Sequence, residues 1–250
     1  MIGQRFRHSF FLALILFSFK PIKAQWSVGV EGGYTNNFLF TNNSNRQFTN
    51  YKPQGGAGAS MIAQYRFSNW LAVESGVQYM MKNYKLERTD FFQGIYQHSS
   101  NGYIQVPLKA DFMFGGKRLI GFLNLGVYGA YWAYGHVKGS MPNILNPIDS
   151  LATTGNFYNV TKPFNYDEAY SFDKKRDNRF EFGWLIGLGM SYRLLSRYDI
   201  FLRGTFLQAL TDQQKNYQVN QIPRYNETYF LSAGCMWNLS AKKRKAERSN

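Results

Sequence analysis

Apolar and polar side chains change places at every step over much of this chain. From Trp26 the even positions read Trp26, Val28, Val30, Gly32 and Tyr34, and the odd ones Ser27, Gly29, Glu31, Gly33 and Thr35. A period of two is the mark of a β-strand with one apolar face. It returns at 55–67, where Ala57, Ala59, Met61, Ala63, Tyr65 and Phe67 oppose Ser60, Gln64 and Arg66, with Ile62 out of phase. At 71–82, Leu71, Val73, Val77, Tyr79 and Met81 oppose Glu74, Gly76, Gln78 and Lys82. Segments 103–114, 119–133 and 180–193 alternate as well, 199–210 does so less cleanly, and 229–239 closes the series. Eight strands of about 11 residues are predicted, the length a tilted strand needs to cross a bilayer.

The connections sort into two kinds. Ser68-Asn69, Gly115 to Arg118 and Leu194 to Arg197 are short turns, while 39–54, 83–101, 136–178 and 212–225 are long and polar. Short and long alternate, as in an outer-membrane barrel with tight periplasmic turns and longer extracellular loops. The polar face carries Glu31, Glu74, Asp111 and Glu181 against Arg66, Lys82, Lys109, Arg193 and Arg203. Those charges would be too costly inside a soluble sandwich, but they can line a small membrane barrel. Lipid also forbids open strand edges, so the eight strands must close. The expected fold is all-β: an eight-stranded antiparallel up-and-down transmembrane β-barrel. Aromatics at the strand ends fit two interfacial belts. Trp26, Tyr65, Phe67, Trp70, Phe114, Tyr192, Tyr198 and Trp237 fall on the periplasmic side, and Tyr34, Tyr79, Tyr131, Phe180 and Tyr229 on the outer one.

Composition narrows the alternatives. Aromatics make 18% of the chain, and only 18% is charged, which excludes a disordered polyelectrolyte. Mean hydropathy is −0.39 and no run of about 18 apolar residues occurs, so no transmembrane helix is expected. The net charge of +14 suggests nucleic acid at first sight. However, Arg5, Arg7, Lys20 and Lys23 belong to residues 1–24, which read as a secretory signal peptide with a basic start and an apolar stretch from Phe10 to Phe19. Lys242, Lys243, Arg244, Lys245 and Arg248 belong to a basic tail, 241–250, expected in the periplasm, where it could meet anionic headgroups or simply remain solvated. With both set aside, residues 25–240 form the barrel domain and nucleic acid drops out as a partner.

The stretch Tyr103-Ile104-Gln105-Val106-Pro107-Leu108-Lys109-Ala110 resembles the Y-x-x-(I/V)-P-L strand of PorT-like outer-membrane barrels of the Bacteroidetes. Gly29 to Tyr34 is similar to that family's first strand, Gly187 to Tyr192 to its sixth, and the Ala24-Gln25 junction to its cleavage sites. The resemblance covers most of 25–240. It implies a non-enzymatic accessory or scaffold role in protein secretion of type IX, the task of the family's namesake. Two features depart from the pattern: the chain continues past Leu239, and Pro107, which lacks an N–H, sits mid-strand, where a bulge or a weak point in the ladder must receive it.

Catalytic and metal-binding sets are thin. His98-Ser99-Ser100 with Asp90 would be the material of a rim hydrolase, but no triad spacing supports it over solvated loop residues. His98, His136 and Asp149 lack a recurring ligand spacing. Glu31, Glu74 and Asp111 read better as members of an ion-pair lattice than as acid/base carboxylates. Cys235 falls on the lipid face as a small apolar residue. No enzyme, cofactor or metal is expected; the expected partners are outer-membrane lipid and, through the resemblance, secretion-machinery proteins. A small channel is the alternative function, and a rim enzyme acting on lipid or peptide a further one. The long connection 136–178 carries Phe157, Tyr158, Phe164, Tyr166, Tyr170 and Phe172, more aromatics than a solvated loop needs, and is expected to cap the mouth or to dock a partner.

Overall fold

The structure, a computed structural model, describes residues 25–41, 48–147, 161–195, 197–219 and 221–239. The expected signal peptide, 1–24, and the basic tail lie outside them. Among the described residues ten strands occur: β1 (Gln25–Thr41), β2 (Thr49–Arg66), β3 (Leu71–Met81), β4 (Tyr84–Arg88), β5 (Tyr96–Gly115), β6 (Leu119–Pro147), β7 (Thr161–Ala169), β8 (Phe180–Leu195), β9 (Tyr198–Ala209) and β10 (Arg224–Asn238). All pairings are antiparallel. Eight strands form a ring in the order β1-β2-β3-β5-β6-β8-β9-β10, and β10 returns to β1 from Ser27↔Asn238 to Thr41↔Arg224. Closure leaves no unpaired edge in the hydrocarbon, the condition lipid imposes on any sheet.

The two remaining strands extend the wall upward. β4 continues the line of β3 and lies between β2 and β5, while β7 pairs with the upper part of β6. The wall therefore stands taller than the alternating pattern predicts: β5 begins at Tyr96 and β6 runs to Pro147. Much of what reads as loop in 39–54, 83–101 and 136–178 is strand above the membrane. There both faces of a strand meet polar surroundings, so the apolar/polar alternation disappears although the pairing continues.

At the short-turn end, the Ser68 hydroxyl accepts from the Leu71 N–H (3.1 Å) and Phe67 N–H bonds the Leu71 carbonyl (3.1 Å). Gly115 stands at φ +114°, a left-handed conformation that only glycine takes without strain, and starts the turn into β6. Pro107 meets the expected weak point. The β3–β5 ladder pairs Ser75 with Leu108, lapses beside the proline, and resumes in the same register at Gln78↔Gln105. Ser75 donates to the Pro107 carbonyl instead (2.8 Å).

Alternation sorts the wall into two faces. Val30, Met61, Val77, Leu125, Leu188 and Leu231 are exposed outward, as lipid contacts should be. Rings touch at places along both belts: Trp26 with Tyr65 (4.9 Å) and Tyr65 with Phe67 (4.7 Å) below, Tyr131 with Phe180 (5.2 Å) and Phe206 with Tyr229 (5.0 Å) above. Cys235 is half-buried on this face. Inside are two apolar clusters. Ile62, Ala72, Met113, Phe122, Phe201 and Met236 form one towards the short turns, and Met80, Tyr103, Tyr128, Trp132, Leu185, Leu207 and Phe230 form the other towards the mouth. Room for such rings comes from inward glycines: a Cβ on Gly183 would lie 2.6 Å from the Tyr128 ring.

Candidate functional site

Between the apolar clusters the lumen is crossed by charge. β3, β5 and β9 bring Glu74, Lys109 and Arg203 together: Arg203 Nη1 donates to Glu74 Oε1 at 2.7 Å and Lys109 Nζ to the same oxygen at 2.5 Å. Glu31 on β1 joins at 3.6 Å from Arg203 Nη2 and accepts from the hydroxyls of Ser60 (2.7 Å) and Ser232 (3.0 Å). Asp111 accepts from Gln64 (2.7 Å) and Asn124 (2.5 Å). Nearer the mouth, Lys82 pairs with Glu181, which also accepts from the Tyr128 hydroxyl (2.9 Å) and from Asn226 Nδ2 (2.7 Å). The Lys82 ammonium sits over the Tyr128 and Tyr103 rings, at 4.7 and 5.1 Å. Desolvated charges of this kind are tolerable only because nearly every one has an opposite charge and hydrogen bonds.

Of the nine charges expected to line the lumen, Glu31, Glu74, Lys82, Lys109, Asp111, Glu181 and Arg203 are buried, and Arg66 and Arg193 are half-buried. Arg66 and Arg193 stand at the periplasmic end, apart from the central cluster. Arg193 makes a forked pair with Asp199, at 2.9 and 3.1 Å. Asp199 is the inner charge the sequence reading missed. It is buried, is held also by Asn238 (3.2 Å), and brings this set of charges to five acids against five bases. Its parity with Phe201 and Arg203 on β9 was the available signal. An eight-stranded barrel is just wide enough for side chains to fill it, and here three charged groups and two apolar clusters do so.

Part of the connection 136–178, expected as a cap or as a docking surface, packs against the upper wall. After β7 the chain turns back over the opening as the segment 170–179. Tyr170 and Phe172 pack on Trp132, the first stacked at 5.2 Å and the second edge-on at 4.9 Å, and Trp132 stacks in turn on Tyr103 at 5.9 Å. The lid is pinned by charge. Asp177 is buried and accepts from the Tyr170 hydroxyl (2.9 Å), the Asp173 N–H (2.8 Å) and Arg176 Nε (3.2 Å), while Arg179 Nε donates to the Trp132 carbonyl (2.9 Å). Burial, and then the bond to Asp177, push the Tyr170 phenol up to about 12. Tyr166 points inward from β7 and bonds Gln97 (3.2 Å), whereas Phe164 is exposed. Phe157 and Tyr158 lie outside the described residues.

The outer face of the extended wall carries a cationic row. Register places Lys52, Lys85, His98, Lys138 and Asp167 side by side on five strands. Glu87 is shared by Lys52 and Lys85, whose hydrogen bonds hold its carboxyl down at about 2. Asp167 is held low by Lys138 and then by His136. Partial burial, and then Lys85, lower His98. His98, Ser99 and Asp90 do not assemble into a triad. Ser99 lies inward and buried, His98 outward, and Asp90 sits in the 3-10 turn Asp90–Phe92. Among the described residues no three potential metal ligands cluster; Asp149 lies outside them.

Comparison with known proteins gives these findings. Among solved structures the chain is similar to the outer membrane protease OmpT of Escherichia coli, with 9% identity and a TM-score of 0.48, covering 89% of this chain and 99% of that one. It is also similar to OprG of Pseudomonas aeruginosa, with 11% identity and a TM-score of 0.43, covering 84% and 95%. For the Neisserial surface protein NspA the values are 12% and 0.42, covering 86% and 97%. No curated protein sequence matches the chain. The model of the outer membrane protein beta-barrel domain family matches residues 18–214. With the closed ring, its apolar outer wall and its charged lumen, that match identifies the chain as a member of the outer membrane protein beta-barrel domain family, an integral barrel of the Gram-negative outer membrane.

Proposed function

We propose that this barrel is a non-enzymatic scaffold in the outer membrane, closed to solutes, that presents its extracellular wall and lid to other components of a protein-secretion assembly. The observation that carries the reading is the filled lumen. The Glu74–Lys109–Arg203 cluster and the Lys82–Glu181 pair occupy successive levels of the barrel and are locked by hydrogen bonds, so a solute would have to break both. A barrel without a path is better suited to holding partners than to transport. The link to secretion, and to type IX export in particular, follows from the resemblance of Tyr103 to Ala110 to the PorT-like strand. A deletion strain tests it. Exported proteins should accumulate in the periplasm, and the wild-type chain supplied in trans should restore export. An unchanged exported proteome would remove the secretion role while leaving the closed barrel intact.

A further inference from the structure

Under the lid, the upper wall encloses a cavity of about 260 Å³. That is room for roughly eight waters, or for a molecule the size of a monosaccharide. It lies inside the barrel mouth, walled from the lipid by β4, β5 and β6, with half-exposed Tyr217 at its rim. Its lining is mostly polar: Gln97, Ser99 and Asn101 from β5, Gln213 and Gln214 from the β9–β10 connection, and charged groups from the lid and β10.

Among the described residues the charges leave one cation over. Arg176 and Asp177 neutralise each other, and Arg176 is further committed to the Tyr170 hydroxyl (2.9 Å). Arg224, at the start of β10, differs. Its backbone N–H is held by Asp212 (3.0 Å), but its side chain pairs with no carboxylate of a described residue, and its Nε is buried without a hydrogen-bond partner. The guanidinium also lies near the buried Tyr84 phenol, where its charge opposes the upward pull of burial. A buried donor with no acceptor is costly, more so when charged, so this group calls for an acceptor, which an anion in the cavity would supply together with the opposite charge. Arginine is the side chain that meets carboxylate or phosphate with two parallel bonds. Amides and hydroxyls around it suit a hydroxylated body and not a hydrocarbon one.

We propose that the mouth cavity binds a monosaccharide-sized acid, a sugar carrying a carboxylate or a phosphate, with its anionic group on Arg224 and its hydroxyls on the Gln97, Ser99 and Gln214 side chains. The ligand comes from the medium, because the cavity faces the barrel axis and not the surrounding lipid. The site stands whether or not export depends on the barrel, since it needs only the folded mouth.

Calorimetric titration of the folded, detergent-solubilised protein in 150 mM salt tests this, with glucuronate and glucose 6-phosphate as probes and glucose and inorganic phosphate as comparisons. At least one acid should bind saturably with a Kd below about 1 mM, at least tenfold tighter than glucose and inorganic phosphate. Arg224→Gln should weaken that binding at least tenfold, and Lys138→Gln, on the outer face of the wall, should leave it unchanged. Heat-modifiable migration on gels certifies each variant as a folded barrel. Absence of binding by both acids, or equal affinity in a folded Arg224→Gln protein, overturns the proposal. Equal binding of glucose overturns the role of the anion, and equal binding of inorganic phosphate overturns the recognition of a sugar.

Discussion

At the scale of single residues, the lumen tests how buried charge behaves when every partner is specified. Lys82 is fully buried, and its ammonium has Glu181 on one side and two aromatic faces around it. Lys82→Met keeps much of the volume but leaves Glu181 charged in the interior with only the Tyr128 and Asn226 bonds to compensate it. Breaking one side of such a pair costs about 3–5 kcal/mol, whereas replacing both partners by apolar groups is often neutral. Urea unfolding in micelles should therefore show a large loss for Lys82→Met and recovery of most of it in Lys82→Met/Glu181→Leu. If the double variant were as unstable as the single one, the pair would be contributing through geometry that apolar packing cannot replace. Leu188 provides the complementary case on the outside. It is exposed mid-strand on β8, opposite Leu123, so Leu188→Arg places a charge in hydrocarbon and should destabilise by about 2–4 kcal/mol. Insensitivity of the unfolding midpoint to that change would mean that the assigned lipid face is wrong.

At the scale of elements, legibility follows the solvent. Within the hydrocarbon, one face of each strand meets lipid and the other the lumen, so β3, β8 and β10 announce themselves by alternation and even Cys235 could be placed. Asp199 obeyed the same parity and was readable, but β9 alternates less cleanly and hid it. Above the membrane the rule lapses. β4, the upper part of β6 and β7 are held by backbone pairing between polar surroundings, and no period marks them. The lid is half legible: the aromatics of 136–178 stand out, but only tertiary contact reveals that Tyr170 and Phe172 pack onto Trp132 while Phe164 stays exposed. Among the side-chain ties of β4 to β2 besides the ladder is the carboxylate of Glu87, paired with Lys52 of β2 and with Lys85 of its own strand. Its folded pKa of about 2 lies below the ordinary 4.5, so it favours the folded wall above pH 4.5, and that contribution is lost as pH falls from 4.5 towards 2. The group is exposed, so salt will screen the effect. Carboxyl NMR should find the Glu87 midpoint near 2 at low salt, and Lys52→Gln should raise it towards 4.5. A wild-type midpoint at 4.5 would show that the lysines do not hold the carboxylate in solution.

At the scale of the whole molecule, the proposed closed barrel makes the lid and the lumen barriers in series, and a series arrangement predicts what removing one of them does. Replacing 145–172 by a short Gly/Ser linker deletes Tyr170 and Phe172 from the face of Trp132 and opens the mouth. It does not touch Lys82 and Glu181, nor Glu74, Lys109 and Arg203 below them, which are buried and satisfied by partners on β1, β3, β5, β8, β9 and β10. Current through barriers in series is set by the tightest of them, so the linker variant should conduct no better in planar bilayers than the intact barrel, with no steady nanosiemens-scale openings from either. The variant should still migrate as a heat-modifiable barrel, because the ring closes through β1 and β10 without help from the lid. Stable conductance appearing only in the linker variant would make the lid the gate of a real pore, and the charged layers would then be a selectivity lining and not a plug. If both proteins stay silent and export falls only in the linker variant, the lid is where partners are met and the charged interior exists to hold its platform rigid.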